Sequence, residues 1–585
     1  MWLLNTPKRQ SLRDYILVAL FLLVLLLPTV AIIIQFHAPY FAPALINMAL
    51  AIFLLPALFL PARIWLFIWG LFLLLLPIDL ATWFSMHQPI TQGFIMSILH
   101  TNKAEATEQL NQYLIPLIAY LLLLATYFIV LFKYVPHKFW LPRRVRLFLL
   151  TPYILVSTLL IPTITIANSE EHQEFRGVHP SLKWTFNNVF PFDVIRRVIS
   201  AQREIAYLQK FAEERTITLE KDACKYTGQP TDMLGVLIIG ETSRACNWQL
   251  AGYHRETTPR LAKRTNLYFF DDVFAGANFT LLSVPQLISE ATPQELYKWN
   301  KSPMLTEILH TADYYQGWIS IQSLGDVWMD IARRACNSLS LHTGWLDRSL
   351  RDEVLLPRIK KFFDTELQTR TFLVTHTVGG HYAYTKRYTE SYAHFKPELE
   401  KEIGAYWDLR LSGKSNTSFV NSFDNTIVYT DMILDSIISY VEEQHKPAFV
   451  LYIADHGENL LEPPDFRAYH SYDIPSHYEA HVPLFIWLSD EYKALYPATD
   501  SILRAHQHLP VQSTATFYTL LELAKVSYIT DSTKSLISPY YCPPTERPIS
   551  NPDGRLCPEP PYNGGDICPA YSKKEKASKS GSAGV

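Results

Sequence analysis

A chain of 585 residues is longer than one domain usually holds. Its formal net charge of −3 at pH 7 is too near neutral to argue for nucleic acid or any other strongly charged partner. Hydrophobic residues make up 49% and charged ones 18%, but they are divided unevenly between an apolar first third and a mixed remainder.

Residues 15–36, 41–60, 64–84, 113–134 and 145–166 are apolar and almost free of charge. Each has the length of about 20 residues that crosses a bilayer core. Buried core helices are the plainer explanation for the weakest of them. Lys8, Arg9 and Arg13 precede the first segment and no small-residue cleavage pattern follows it, so it reads as an anchor rather than a removable signal. Basic residues cluster before segment one, at Arg63, and in KYVPHKFWLPRRVR between segments four and five. These are alternate loops, and Lys and Arg are retained on the cytoplasmic side, so five crossings carry everything after about residue 170 outward. Between segments three and four, residues 85–112 pattern as an amphipathic helix at the outer membrane surface. Ser97, Thr101 and Glu105 follow one another at intervals of four and line one helical face. A solvated polar face is the ordinary explanation if that loop is taken alone.

Residues 167–232 form a connector that includes the charged amphipathic stretch DVIRRVISAQREIAYLQKFAEER. From 233 to 540, short β-rich apolar runs alternate with helical patterns, which predicts an α/β sandwich on a mostly parallel sheet. The runs are LGVLIIG, TFLVTH, AFVLYIA and VPLFIWL. Polar residues stand at their ends: Glu241 and Thr242, His376 and His381, Asp455 and His456, with His481 just before the fourth run. One such residue is more often structural; several converging on a sheet edge read as a site. All six cysteines, at 224, 246, 336, 542, 557 and 568, fall in the exported part. An even set there suits disulfides in an oxidising compartment, with buried free thiols as the alternative, above all for Cys246. Residues 541–585 form a Cys- and Pro-rich extension expected to be loop-like and then disordered.

Carboxylates and an imidazole suit zinc, and an incomplete shell leaves room for a reacting oxygen. A hydroxyl beside such a metal becomes a nucleophile near neutral pH, and Thr280 in AGANFTLLSVP is the candidate. LLSVPQLIS after it can open a helix suited to a phosphoryl group, although Pro285 weakens that helix. Taken singly, Thr280 is as well explained as a helix N-cap.

The stretches IGETSRACNWQLAGYHRETTPRL, NFTLLSVP, HTVGGHYAYTKRY, NSFDNTIVYTDMILD and ADHGEN together resemble the lipid-dependent phosphoethanolamine transferases of Gram-negative inner membranes, members of the alkaline phosphatase superfamily. The resemblance spans nearly the whole chain. It implies five membrane helices followed by an alkaline-phosphatase-like, sulfatase-like α/β domain in the periplasm, acting as a monomer. It also implies that Glu241, Thr280, Asp455 and His456 bind a catalytic zinc ion and that Thr280 carries phosphoethanolamine. His381, His470 and His481 match positions near a second metal or the substrate; binding phosphate, holding a second zinc and assisting proton transfer all stay open for them. Thr101 and Glu105 match contacts to the donor head group, with Ser97 where relatives often have Asn. HTNKAEATEQLNQYL, SYITDSTKSLISP and Arg-Glu-Thr-Thr-Pro look most like the branch that modifies the heptose of the lipopolysaccharide core. Ala275-Gly276-Ala277 stands where lipid A enzymes carry Cys-Gly-Thr. The implied reaction takes phosphoethanolamine from phosphatidylethanolamine to lipopolysaccharide, with core heptose ahead of lipid A as acceptor. A glycerol-phosphate transferase, a sulfatase lacking the Cys-x-Pro-x-Arg pattern and a non-enzymatic membrane scaffold are the rival readings.

Overall fold

The computed structural model describes residues 11–35, most of 46–82, 90–100, 103–142, 189–215, 219–322, 327–341, 351–399, 416–462, 466–528 and 531–562, with a few single positions besides. The chain forms two compact units, residues 1–95 with 113–203, and residues 96–112 with 204–585.

Among the described residues of the first unit, Leu12–Val30 and Leu114–Tyr134 are helical, long and apolar enough to cross a membrane, and Ala62–Leu75 is a shorter apolar helix. Their outward residues are themselves apolar: Leu23, Ile118, Leu122 and Leu123 are each at least half exposed, a surface at home in lipid and unstable in water. Arg63 is buried, and its Nε donates to the Val135 carbonyl at 2.7 Å, which satisfies a charge that could not otherwise leave water. The expected span 41–60 is described only in part, and 145–166 lies outside the described residues. The surface loop differs from expectation. Its second half is not a separate element, because one helix runs unbroken from Lys103 to Tyr134. Polar and apolar halves share the same helical period, so nothing in the backbone marks where one gives way to the other.

The second unit is built on a seven-stranded sheet. In chain order its strands are β1 (Met233–Gly240), β2 (Leu267–Phe270), β3 (Tyr315–Ser320), β4 (Ser338–Leu341), β5 (Arg370–His376), β6 (Ala448–Ala454) and β7 (Leu484–Leu488). They lie in the spatial order β2-β7-β6-β1-β5-β3-β4. The five strands from β6 to β4 are parallel, while β7 runs antiparallel to both β6 and β2. Every residue of β1 and of β6 is buried, as expected where helices cover both faces of a parallel sheet. The helix Thr417–Glu442 supplies Phe419, Phe423, Ile427 and Ile437 to the same core as Val236, Ile238 and Leu373.

Two acidic residues of that helix staple the segment after β1 to it. Asp424 accepts from Asn247 Nδ2 at 2.5 Å, Arg255 Nη1 at 2.7 Å and Tyr253 OH at 3.0 Å. Asp431 accepts the backbone N–H groups of Arg260 and Leu261, both at 2.9 Å. The described part of the C-terminal extension is largely irregular, as expected, but part of it is packed in rather than exposed. Within it, Arg547, Ile549, Ser550 and Asn551 are buried, and Ile549–Ser550 pairs with Leu556–Cys557.

Candidate active site

The three central strands end level with one another. Ile239 pairs with His376, and Gly240 with Ala454, so the residues that follow β1 and β6 emerge side by side at the carboxyl edge, where α/β sheets bind ligands. Glu241 follows β1, Asp455 and His456 follow β6, and one ligand atom from each lies within 4.8 Å of the others. Thr280 joins them from a separate segment. Its Oγ1 is 3.2 Å from Glu241 Oε2 and 3.4 Å from His456 Nε2. It is the first residue of the helix Thr280–Leu287, with Phe279 at the cap position and no side-chain cap. The N-cap reading therefore gives way to one in which the hydroxyl points at the acidic cluster from a helix N-terminus, where developing negative charge is favoured. Pro285 is accommodated inside this helix. Glu241, Asp455 and His456 are buried while Thr280 is half-buried, so among these four the hydroxyl is the group a substrate reaches.

Local geometry prepares each group. Thr242 is held at φ 50°, an uncommon conformation for a β-branched residue and one that collects at functional sites. From there its Oγ1 donates to Glu241 Oε1 at 2.7 Å and its N–H to Asp455 Oδ1 at 3.1 Å. His456 Nδ1 is 3.0 Å from the Gly457 carbonyl, which places the proton there and leaves the Nε2 lone pair for a metal. Gly457 is demanded by packing, since a Cβ at that position would stand 2.0 Å from the Tyr478 carbonyl oxygen.

The electrostatics call for a cation. Burial and the Glu241 charge push the Asp455 carboxyl up to about 7. Burial opposes a charge on His456, yet the Asp455 and Glu241 carboxylates raise it to about 10. Burial would likewise raise Glu241, but the hydrogen bond and charge of His456 hold it well below the usual carboxylate range. The cluster thus retains a proton to balance its excess negative charge. Asp455 Oδ2 is buried with no hydrogen-bond partner, the mark of a ligand atom. Two carboxylates, an imidazole nitrogen and a hydroxyl are a donor set that fits zinc.

A second group of histidines adjoins the first. The His456 and His470 rings are 4.1 Å apart and the His381 and His470 rings 6.2 Å. His381 Nδ1 is 2.9 Å from the Tyr382 carbonyl. His470 Nδ1 lies 2.8 Å from Glu458 Oε2, and Tyr384 OH donates to Glu458 Oε1 at 2.8 Å. Burial pushes Glu458 up to about 8. Burial, then the charges of His456 and His381, push His470 well down. The pair therefore holds one exchangeable proton near neutral pH. Burial lowers His376 to about 4, so it stands as a neutral ring 4.0 Å from Glu241.

His481 falls in another group that could hold a metal ion, with Cys246 and His477. Its Nε2 is 3.0 Å from the Asp271 carbonyl and its Nδ1 3.7 Å from Cys246 Sγ. The cysteines divide: Cys246 is disulfide-bonded, Cys224, Cys336, Cys542 and Cys557 are free thiols, and Cys568 lies outside the described residues. Thr101 and the side chains of Ser97 and Glu105 are likewise outside them. One contributor carries no motif signal, and another stands inside HTVGGHYAYTKRY without being marked out by it. Gln322, just past β3, donates from Nε2 to Glu241 Oε2 at 3.1 Å and to the Thr377 carbonyl at 2.6 Å. Tyr384 acts through Glu458, which itself stands inside the quoted ADHGEN.

The chain is similar to known proteins to different extents. Phosphoethanolamine transferase EptA of Escherichia coli strain K12 is 30% identical over 289 residues, 46% of this chain and 49% of that protein; the match thus spans about half the relative's length. Phosphatidylethanolamine transferase Mcr-1 of Escherichia coli is 28% identical over 436 residues, 70% of this chain and 75% of that one. Among solved structures, the integral membrane lipooligosaccharide phosphoethanolamine transferase A of Neisseria meningitidis shares the fold with a TM-score of 0.64 at 19% identity, covering 89% of this chain and 98% of that one. The zinc complex of the periplasmic domain of EcEptC from Escherichia coli has a TM-score of 0.50 at 23% identity, covering 58% of this chain and 96% of that one. The sulfatase family model matches residues 234–526, half of the chain. The chain belongs to the sulfatase family.

Proposed function

We propose that the chain is a phosphoethanolamine transferase of the bacterial inner membrane, anchored by five spans with its catalytic domain in the periplasm. Its donor is phosphatidylethanolamine and its acceptor lipopolysaccharide, with core heptose ahead of lipid A. The observation that carries this reading is the Thr280 hydroxyl, at a helix N-terminus and 3.2 Å from Glu241, in the one cluster among the described residues where carboxylates, imidazole and an accessible hydroxyl converge. Names of relatives support the transferred group.

Glu241, Asp455, His456 and Thr280 would hold zinc, which when bound lowers the pKa of a coordinated hydroxyl and offsets charge on a phosphoryl oxygen. Thr280 Oγ attacks phosphorus; its proton passes to solvent, an Oγ–P bond forms, and the P–O bond to diacylglycerol breaks. The departing glycerol oxygen takes up a proton, and the Glu458–His470 pair is placed to exchange one. A sugar hydroxyl of the acceptor then attacks the same phosphorus, gives up its proton, and returns Thr280 to its hydroxyl form. His381 and His470 line the approach to phosphorus, while Thr101 and Glu105, with Ser97, take the ammonium of the head group.

The test is to offer purified enzyme phosphatidylethanolamine labelled in the ethanolamine and phosphatidylglycerol labelled in the head-group glycerol, each with lipopolysaccharide. Label from the first lipid should appear in the core oligosaccharide fraction. Label from the second alone would replace this reading with the glycerol-phosphate one.

A further inference from the structure

The segment leading to Thr280 is held by residues from outside the sulfatase-like region. Arg547 pairs with the carboxylate of Asp272, donates from Nη1 to the Asp272 carbonyl at 3.1 Å, and lies 4.0 Å from the centroid of the Phe274 ring. Its Nη2 donates to Glu559 Oε1 at 2.6 Å, so extension residues brace it from behind. Three residues on, the Ser550 N–H donates to the Gly276 carbonyl at 2.9 Å, and its carbonyl accepts the Asn278 N–H at 3.3 Å. Ser550 thereby forms a parallel bridge with Ala277. Asn551 Nδ2 reaches the Asp473 carbonyl at 2.9 Å, tying the same turn to the loop after His470. Arg547, Ser550 and Asn551 are all at most 4% exposed.

The catalytic fold holds the other edge of this segment. The Ala275 N–H donates to the Ala480 carbonyl at 2.7 Å and the Gly276 N–H to Ser513 Oγ at 2.9 Å. A Cβ at Gly276 would stand 2.0 Å from Gln286 Oε1, so a side chain there would require the end of Gln286 to move. Residues 272–278 are thus clamped between the domain and the extension, and Thr280 comes two residues later. Ala275-Gly276-Ala277 offers no cysteine for a covalent clasp at this turn.

We propose that residues 546–559 act as a strap that positions the nucleophile. Arg547 and Ser550 are its positioning residues: neither touches a reacting group, and both fix the backbone from which Thr280 Oγ1 reaches Glu241 and His456. This rests on Thr280 being the nucleophile, as proposed above. Displacing a reacting group by about 1 Å can cost on the order of 100-fold in rate, so a loosened strap should be felt in chemistry before it is felt in folding.

The experiment uses the full-length protein in detergent micelles, as wild type, Arg547→Ala, Arg547→Lys and Ser550→Pro, which removes the N–H given to Gly276. Hydrogen exchange is followed by mass spectrometry over residues 272–280 and over β6, beside zinc content and the single-turnover rate of phosphoenzyme formation from phosphatidylethanolamine. Arg547→Ala should speed exchange in 272–280 and leave β6 unchanged. It should slow phosphoenzyme formation about tenfold with zinc content and half-saturating lipid concentration unchanged, and Arg547→Lys should recover part of the loss. Exchange quickening equally in β6, or a wild-type rate in a protein whose 272–280 segment has loosened, would overturn the strap. If Arg547→Ala does not accumulate folded, Ser550→Pro decides by the same comparison. Should wild type form no phosphoenzyme from this lipid, the proposed donor fails, while the exchange measurement still decides whether the strap restrains the segment.

Discussion

Glu241 shows how much arrangement one ligand needs. Thr242 holds one oxygen and Gln322 the other, and a hydrogen bond to a charged group contributes about 1.5–3 kcal/mol. Gln322→Ala should therefore keep the fold and slow turnover about tenfold or more, read as kcat on the purified protein; a variant at the wild-type rate would make Gln322 a bystander. Zinc binding should depend on pH in a fixed direction. Ligation requires Asp455 and His456 to lose protons that the folded protein retains up to about 7 and about 10 respectively. Raising pH from 6 towards 8 therefore relieves the competition and should strengthen zinc binding by up to about tenfold per unit for each proton released. Titration with a chelator-buffered zinc series checks this, and a flat profile would contradict the ligand assignment. At this scale the motifs led directly to Glu241, Thr280, Asp455 and His456, because each stands beside a strand end or a helix start. Gln322 left no such trace, since it acts on a group more than seventy residues away, and Tyr384, although inside a quoted stretch, gave no sign of its distant partner Glu458. Standing just before a strand likewise said nothing about which cluster the His481 ring would join.

At the scale of elements, four strands were legible as apolar runs because both faces of the central sheet are covered, which removes polar alternation. The remaining three were not, since β2 and β4 have only four residues each and β3 is interrupted by Gly317. The motif residues Asn247, Tyr253, Arg255 and Asp424 read as part of a functional signature, yet the first three all donate to Asp424. They lock the segment after β1 onto the helix Thr417–Glu442. Asp424→Ala removes three hydrogen bonds to a buried carboxylate, one of them from Arg255, so it should destabilise the domain by about 1.5–3 kcal/mol. Thermal unfolding should show a midpoint lowered by several degrees, whereas an unchanged midpoint would mean the staple is dispensable. The described part of the extension beyond residue 540 is largely irregular, as its Pro-rich composition suggests, but composition gives no indication that a buried Arg547 meets Asp272.

For the whole molecule, charge and hydropathy give the proposed orientation, with the catalytic unit outside the inner membrane. Cys542 is a free and exposed thiol in that unit. A membrane-impermeant maleimide should label it in intact spheroplasts, and labelling only after permeabilisation would reverse the topology. Membrane attachment and a buried acidic cluster have one common purpose in this account, to bring the Thr280 hydroxyl to the phosphorus of a lipid. The most direct measurement is peptide mass spectrometry of the zinc-loaded protein after brief incubation with phosphatidylethanolamine, in wild type and in Thr280→Ala. The account predicts phosphoethanolamine on the peptide containing Thr280 in wild type and no adduct in the variant; an adduct that persists in Thr280→Ala, or that maps to another residue, would contradict it.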